Sequence, residues 1–258
     1  MPDGEEGGNC SHCIPHSGQV RVGSSLSDLE ITSCPKLKVK PFLPSSLQNL
    51  QLSGRSERLL QSPGCECGWE LLQDMTALES LEIASSDVLT ELPESLRHLT
   101  SLRSLHVSWC RAIRMLPEWL GEFQSLQALT IRYCDSLSSL PQSMGHLRSL
   151  QELKIDSCGA LDQLPEELCS LRKLTIKCLP GLTCLPRMFA GPYQCFPYLE
   201  VLTIISCPGI KSLPEAIKGL TSLLSLRIFD CPELKRRYER GTGEDWHLIS
   251  SIPHVYIP

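Results

Sequence analysis

Cysteine and histidine are the residues whose chemistry and spacing first suggest a reactive or metal-binding site in this chain. The sequence has 14 cysteines and 7 histidines. Residues 10–16, CSHCIPH, hold two of each, and a Cys-x-x-Cys pair with nearby histidines is half of a structural zinc site. The second pair, Cys65 and Cys67, is more closely spaced than such sites usually require. We therefore favour a tail and an unrelated loop, and we predict no metal site.

Most of the other cysteines recur at one position of a sequence repeat. Residues 101–117, SLRSLHVSWCRAIRMLP, and 125–141, SLQALTIRYCDSLSSLP, share leucines, a β-branched residue, a cysteine and a terminal Leu-Pro at the same offsets. The recurring cysteines are Cys34, Cys110, Cys134, Cys158, Cys207 and Cys231, and Cys178 comes one residue early in its repeat. A buried cysteine acts as a small apolar residue with a weak S–H donor. We therefore interpret this cysteine ladder as structural rather than catalytic.

The elements that position these residues follow from the repeat. Its second leucine is found at Leu29, Leu50, Leu81, Leu105, Leu129, Leu153, Leu174, Leu202 and Leu226. Four consecutive copies, from Leu81 to Leu153, are spaced by 24 residues, which lies within the period of about 20–29 residues typical of leucine-rich repeats. The sequence therefore predicts an α/β leucine-rich-repeat solenoid, or horseshoe, of about nine repeats.

The repeat also predicts what each side of the solenoid contains. The alternation in L-x-[IV] indicates a strand with one buried face, and stacked strands form a parallel sheet on the concave side. The cysteine should be buried at the bend that follows the strand. Leu-Pro begins segments such as LPESLRHL and LPEAIKGL, where proline fits the first position of a helical turn. We predict short helical or 3₁₀ turns on the convex side.

Three regions are expected along the chain. Residues 1–22 are polar and Gly-rich and are predicted to be a disordered tail. Residues 23–232 hold the repeats, with insertions near 54–76 and 187–198 that are either binding loops or drift. Residues 233–258 are predicted to form a C-terminal cap, with a short helix in DWHLI and a last strand in HVYI.

Charge and hydropathy exclude several function classes. The net charge of −5 argues against a nucleic-acid partner or an acidic membrane surface. We find no apolar run of about 18 residues and no signal peptide, so we expect no membrane span. The sequence also lacks the H-E-x-x-H motif of zinc metalloproteases, the G-x-S-x-G motif of α/β-hydrolases and the glycine-rich loop of dinucleotide-binding domains. We expect a non-enzymatic protein with reduced thiols in the cytoplasm, with the nucleus as a further location.

The C-terminal segment, CPELKRRYERGTGEDWHLISSIP, resembles the ending of plant nucleotide-binding leucine-rich-repeat disease-resistance proteins of the coiled-coil class. Repeat segments such as LTIISCPGIKSLPEAI and LRIFDCPELK are similar to that family's C-terminal repeats. The resemblance implies a cytosolic immune receptor whose repeats sense pathogen effectors and help to hold the receptor inactive. The family's phosphate loop, G-x-x-x-x-G-K-[ST], does not occur in this sequence, so ATP or ADP is expected only with an upstream nucleotide-binding domain, and no cofactor in this chain.

The outward strand positions are the predicted partner-binding site on the concave face. The residues are His106, Trp109, Arg132, Tyr133, Lys154, Asp156, and, as a weaker extension, Lys177, Arg227 and Phe229. Aromatic and arginine residues grouped centrally are typical of interface hot spots, and Trp109 and Tyr133 should be neighbours. The alternative is that both rings only cover strand edges or pack on each other.

The expected partners are proteins: a pathogen effector or a guarded host protein, and the receptor's own nucleotide-binding domain. Two other hypotheses remain at this point. One is the substrate-recognition subunit of a ubiquitin ligase, because F-box proteins also use cysteine-bearing leucine-rich repeats. The other is a free-standing scaffold.

Overall fold

The protein is described here by a computed structural model that covers residues 26–33, 43–54, 72, 74–186 and 197–258. Its centre is one sheet of ten parallel strands, arranged in the order in which they occur along the chain. A sheet of this kind, in which every strand pairs only with its sequence neighbours, requires one strand per repeat. The predicted α/β leucine-rich-repeat solenoid is confirmed.

The first nine strands each have five residues and the tenth has three. They are β1 (Asp28–Thr32), β2 (Asn49–Ser53), β3 (Ser80–Ala84), β4 (Ser104–Ser108), β5 (Ala128–Arg132), β6 (Glu152–Asp156), β7 (Lys173–Lys177), β8 (Val201–Ile205), β9 (Ser225–Phe229) and β10 (His254–Tyr256). Strands β1–β9 pair in parallel and in register, so the repeat leucine of one strand lies opposite that of the next, and Val255 of β10 lies opposite Leu226.

Within each strand the side chains alternate between the core and the outer face. In β4, Leu105 and Val107 at the second and fourth positions are 1% and 0% exposed. Burial of each such aliphatic side chain contributes about 1.5–3 kcal/mol, and the contribution is repeated in every coil. The first, third and fifth positions of the strands point away from this core, and we call them the sheet face.

Short 3₁₀ helices lie on the opposite side, as the Leu-Pro motif predicts. Four are described, at Glu94–His98, Glu118–Glu122, Gln142–His146 and Glu215–Gly219. The predicted position of proline at the first helical residue is wrong by one residue. Pro117 is the N-cap with extended ψ of 151°, and its carbonyl accepts the Leu120 N–H at 3.1 Å. Proline suits this position because it fixes φ while its carbonyl starts the turn.

The residue after each of the strands β1–β9 has a left-handed backbone. These residues are Ser33, Gly54, Ser85, Trp109, Tyr133, Ser157, Cys178, Ser206 and Asp230, with φ between 50° and 63°. Only Gly54 adopts this region without cost, and a non-glycine residue loses about 1–2 kcal/mol there. In seven of these residues, all except Gly54 and Asp230, the N–H donates to the carbonyl of the strand end in the following repeat, at 2.9 Å from Trp109 to Arg132 and from Tyr133 to Asp156.

The C-terminal segment is joined to the last repeats by buried contacts. It contains α1 (Pro232–Arg237), α2 (Trp246–Ile249) and the strand β10, which pairs with β9. Tyr238 is fully buried, and its hydroxyl accepts the Leu213 N–H at 2.9 Å. Arg237 Nε donates to Asp245 Oδ2 at 2.6 Å, and Glu244 pairs with both Arg236 and Arg237, so the basic run and the GEDW motif of the sequence are joined by ion pairs.

Several predictions fall on residues that the structure does not describe. They concern the tail at 1–22, the half-site at 10–16, Cys34, and most of the two insertions, residues 55–71, 73 and 187–196. In the described ranges, no helix has the length and apolar character needed to cross a membrane.

The 3₁₀ helices pack closely enough for a glycine to be required, and this gives a test of the stacking. A Cβ on Gly121 would lie 2.2 Å from the Ser143 carbonyl oxygen of the next coil. We expect Gly121→Ala to lower the free energy of unfolding by about 1–3 kcal/mol, because the backbone must move apart. The measurement is the urea midpoint. Gly219→Ala is the matched control, since its Cβ meets nothing within 4 Å, and an equal loss in both variants would contradict the prediction.

Candidate protein-recognition surface

The middle positions of the strands form a continuous row on the sheet face. The row runs from Glu82 through His106, Thr130, Lys154, Thr175 and Thr203 to Arg227. Neighbouring members are about 4.8 Å apart, the distance between paired strands. Side chains from different repeats are therefore held side by side at fixed spacing, as a binding surface requires.

The strongest local feature beside this row is a pair of stacked aromatic rings. The rings of Trp109 and Tyr133 lie 4.0 Å apart between centroids and are inclined by 17°. The Arg111 guanidinium lies 5.6 Å from the Trp109 centroid, and that of Arg132 lies 5.4 Å from the Tyr133 centroid. Trp109 is 42% exposed. The stack is therefore available to a partner, and each cation–π contact contributes about 0.5–1 kcal/mol at such a site.

The stack lies at the end of the sheet rather than on its strands. Trp109 and Tyr133 each follow a strand and occupy the left-handed position, so the expectation of an ordinary strand position is wrong. Both side chains are projected by the same bend in consecutive repeats, which explains their near-parallel rings. Arg111 was not among the predicted site residues. The sequence could have indicated it only through its position as a cation two residues after Trp109.

Asp156 is the buried centre of a charged group on the sheet face. Its Oδ2 lies 3.7 Å from Arg132 Nε on β5 and 3.7 Å from Lys177 Nζ on β7, and its Oδ1 accepts the Ser157 hydroxyl at 3.0 Å. The residue is only 1% exposed, so the expectation that it faces a partner is wrong. The longer side chains of Arg132 and Lys177 cover Asp156 from either side. Its carboxylate therefore positions these two cations for contact with a partner and does not face the partner itself.

His106 and Lys154 complete the central part of the surface. His106 Nδ1 is 4.0 Å from Glu82 Oε2. Burial lowers the pKa of His106 below its ordinary value of 6.5; Glu82 opposes the shift, while Arg132 and Lys154 add to it. His106 is therefore neutral at pH 7. Lys154 makes no hydrogen bond or ion pair with any side chain in the described part of the chain.

The remaining predicted residues lie apart from this group. Arg227 and Phe229 are on β9, two strands beyond Lys177 on β7. Phe229 packs against Tyr256 of β10, with ring centroids 5.2 Å apart. Tyr256 is 55% exposed and was missed by the sequence prediction, because the repeat pattern does not reach the last strand.

The cysteine ladder lies in the core. Cys110, Cys134 and Cys158 are 0% exposed, as is Cys207, and Cys231 is 3% exposed. Each thiol donates to the carbonyl two residues before it, for example Cys110 to Ser108 at 3.4 Å and Cys231 to Phe229 at 3.2 Å. Ser86 and Leu179 fill the same buried position in their repeats, and Cys178 takes the left-handed position instead.

The environment of these thiols opposes ionisation. Burial raises the pKa of Cys207 to about 11 and raises the pKa of Cys231. The neighbouring Cys134 thiol and burial raise the pKa of Cys158. Among the described residues, no group of three or more His, Cys, Asp or Glu side chains has a metal-binding arrangement.

Alkylation separates the buried thiols from the exposed ones. We expect iodoacetamide at pH 8 to modify the exposed Cys169 and Cys184 at least about a hundredfold faster than Cys207, because the thiolate is the nucleophile and a pKa of about 11 leaves little of it. Peptide mass spectrometry measures each site. Equal alkylation rates for Cys207 and the two exposed cysteines in the folded protein would contradict the burial of Cys207. In urea, where all three thiols are exposed, the rates should become equal, and this is the control.

The buried carboxylate has a measurable role in stability. We expect Asp156→Asn to lower the free energy of unfolding by about 1–3 kcal/mol, because it leaves Arg132 and Lys177 facing each other without a counter-charge; the exposure of both cations keeps the loss below that of a fully buried pair. The control is Asp135→Asn, whose pair with Arg111 is exposed on both sides and should contribute less than about 1 kcal/mol. Equal urea midpoints for the two variants would contradict the prediction.

Comparison with known proteins relates part of the chain to a family. Residues 119–232 match the model of plant disease resistance protein RPS2-like leucine-rich repeats. Disease resistance protein RGA4 of Solanum bulbocastanum is 37% identical over 51 residues, which are 20% of this chain and 5% of that protein. The disease resistance RPP8-like protein 4 of Arabidopsis thaliana is 39% identical over 62 residues, 23% of this chain and 6% of that protein. The chain aligns with only a small part of these relatives.

Solved structures agree on the fold. A leucine-rich-repeat protein of Leptospira interrogans superimposes with a TM-score of 0.57 at 24% identity, over 82% of this chain and 54% of that one. The leucine-rich repeat domain of the type III effector XopL gives a TM-score of 0.54 at 21% identity, over 90% and 76% of the two chains. These likenesses support the solenoid, and the sequence matches specify its kind. The chain is therefore a leucine-rich-repeat solenoid in which residues 119–232 match the repeats of plant disease resistance proteins.

Proposed function

We propose that this chain is the protein-recognition domain of a plant intracellular immune receptor and has no catalytic activity of its own. Its ligand is a pathogen effector or a guarded host protein, and the same domain contacts the receptor's nucleotide-binding domain in the resting state. The domain acts in the cytoplasm or the nucleus. The observation that carries the proposal is the exposed stack of Trp109 and Tyr133, flanked by two arginines, at the edge of a rigid sheet.

The composition and rigidity of this surface support protein binding. Tryptophan, tyrosine and arginine are the residues most enriched in interface hot spots. The rings are already stacked and the strands are fixed in register, so little conformational freedom is lost on binding. The relatives that the sequence matches are disease resistance proteins, which favours this function over a ubiquitin-ligase subunit or a scaffold.

Signal transmission needs only a difference in affinity between two states. In this proposal the sheet face contacts the nucleotide-binding domain when the receptor is inactive and binds the ligand when the receptor is active. The ligand then shifts the equilibrium between the two states by the ratio of its affinities for them. The chain would contribute binding free energy, and the nucleotide chemistry would belong to a separate domain. The buried, weakly acidic thiols of the core are consistent with a packing role rather than a catalytic one.

Lysine-directed cross-linking in plant tissue tests the location of the interface. The sheet face offers Lys154, Lys173 and Lys177, whereas Lys211, Lys218 and Lys235 lie outside it. We expect a protein partner to cross-link to the first set, and the double variant Trp109→Ala/Tyr133→Ala to reduce the partner's yield by about thirtyfold or more, the loss of one strong hot spot.

The control for this experiment is Met115→Ala, which removes an exposed apolar side chain that lies outside strands β4 and β5. It should leave the cross-linking yield unchanged. An unchanged yield for the double aromatic variant, or cross-links confined to the second lysine set, would show that the proposed interface is wrong. Thermal unfolding of each variant separates lost binding from lost folding.

A further inference from the structure

The sheet face carries a local charge opposite to that of the whole chain. The protein has a net charge of −5, yet the outward positions of β5, β6 and β7 hold Arg132, Lys154 and Lys177 against the single carboxylate of Asp156. A further pair on the same strands, Lys173 and Glu152, is neutral, with its charged atoms 2.8 Å apart. Two positive charges therefore remain uncompensated at the centre of the face.

These cations also lack hydrogen-bond acceptors. Both ion pairs to Asp156 Oδ2 are 3.7 Å long, which exceeds the length of a hydrogen bond. Arg132 Nε has no acceptor in the described part of the chain, and Lys154 has no ion-pair partner there. Arginine and lysine make their strongest contacts as charge-assisted hydrogen bonds to carboxylates or phosphates. Arg132 Nε is itself buried, so a partner would meet Lys154, Lys177 and the exposed part of the Arg132 side chain, which together are the chemistry of an anion-binding surface.

The surroundings of Lys154 leave room for such an anion. Its registered neighbours are Thr130 on β5 and Thr175 on β7, whose side chains are shorter than the lysine. An acceptor above the sheet can therefore approach the Lys154 ammonium group from either side without a clash with these shorter side chains. The distance from Lys177 to the Trp109 stack covers three strand spacings, or about 14 Å, which an extended peptide spans with about four or five residues.

Resting on the proposed function, we propose that strands β5–β7 bind an acidic, extended segment of the partner protein. Its carboxylates contact Lys154 and the pair of Arg132 and Lys177, and an adjacent apolar residue packs on the ring of Trp109. Two surplus charges suit a few carboxylates. They are too few for a nucleic acid, whose binding sites neutralise many phosphates.

His106 reports on occupation of this site. Arg132 and Lys154 both lower its pKa, because a cationic imidazole is disfavoured near other cations. A carboxylate placed between those cations offsets their effect. The pKa of His106 therefore rises when the site is filled, whereas binding elsewhere on the protein leaves it unchanged.

The test uses the full chain and a short fluorescent peptide of alternating Asp and Glu residues that ends in Leu. We expect it to bind more tightly than its Asn/Gln analogue, with an affinity that falls as salt increases. Lys154→Gln and Lys177→Gln should each weaken binding about five- to tenfold, the loss of one charge-assisted contact. Lys218→Gln, an exposed lysine on a 3₁₀ helix, is the matched control and should have no effect.

The same binding measurements, made with other anions and with the control variant, decide whether the site prefers an acidic peptide. Equal binding of the acidic peptide and its amide analogue, or an equal effect of Lys218→Gln and Lys154→Gln, would overturn the inference. So would tighter binding of inorganic phosphate or of a single-stranded oligonucleotide. In NMR titrations, the pKa of His106 should rise with saturating acidic peptide, and an unchanged value would place the peptide elsewhere.

The two proposals fail in different ways. If the aromatic double variant loses its cross-linked partner while the acidic peptide does not bind, the recognition function stands and the acidic-segment inference is overturned. If the peptide binds as described but the aromatic double variant keeps its partner, the proposed interface fails and the anion-binding surface stands.

Discussion

The solenoid depends on the hydrogen bonds received by the last carbonyl of each strand. The Arg132 carbonyl accepts the N–H of Trp109 from the preceding repeat at 2.9 Å and the thiol of Cys134 from its own repeat at 3.5 Å. The first bond goes with a left-handed residue after the strand, and the second is made where a cysteine occupies the next position. Each coil is thereby fixed to the next at the bend, where the chain leaves the sheet and its backbone groups would otherwise be buried without partners.

This arrangement divides the bend into one restricted position and one free position. The buried position holds cysteine, serine or leucine, while the left-handed position before it holds serine, tryptophan, tyrosine, cysteine or aspartate. The free side chain projects from the protein, so its identity is limited by backbone conformation and not by packing. The cost of about 1–2 kcal/mol for a non-glycine residue is offset by the inter-repeat hydrogen bond and by burial of the residue that follows.

Sequence alone could predict the strands, because their buried side chains recur at fixed spacing, and it could predict that Trp109 and Tyr133 are neighbours, because equivalent residues of consecutive repeats must meet. It could not predict the left-handed bend, since serine, tryptophan and tyrosine carry no local preference for that conformation, unlike glycine or asparagine. It also placed Asp156 on the surface, as the outward strand position suggests. Its burial results from two longer neighbours on β5 and β7, a contact between repeats that no single repeat reveals.

The alternation of core and outer positions explains how such a surface can change without loss of the fold. A substitution at Lys154 alters the charge of the sheet face, yet its neighbours in the strand, Leu153 and Ile155, remain fully buried. Asp156 differs, because its carboxylate is shared between two cations and its removal affects stability as well as binding. Outward residues without such shared partners are therefore the positions where recognition can diverge at little cost in stability, whereas the charged group around Asp156 must change as a unit.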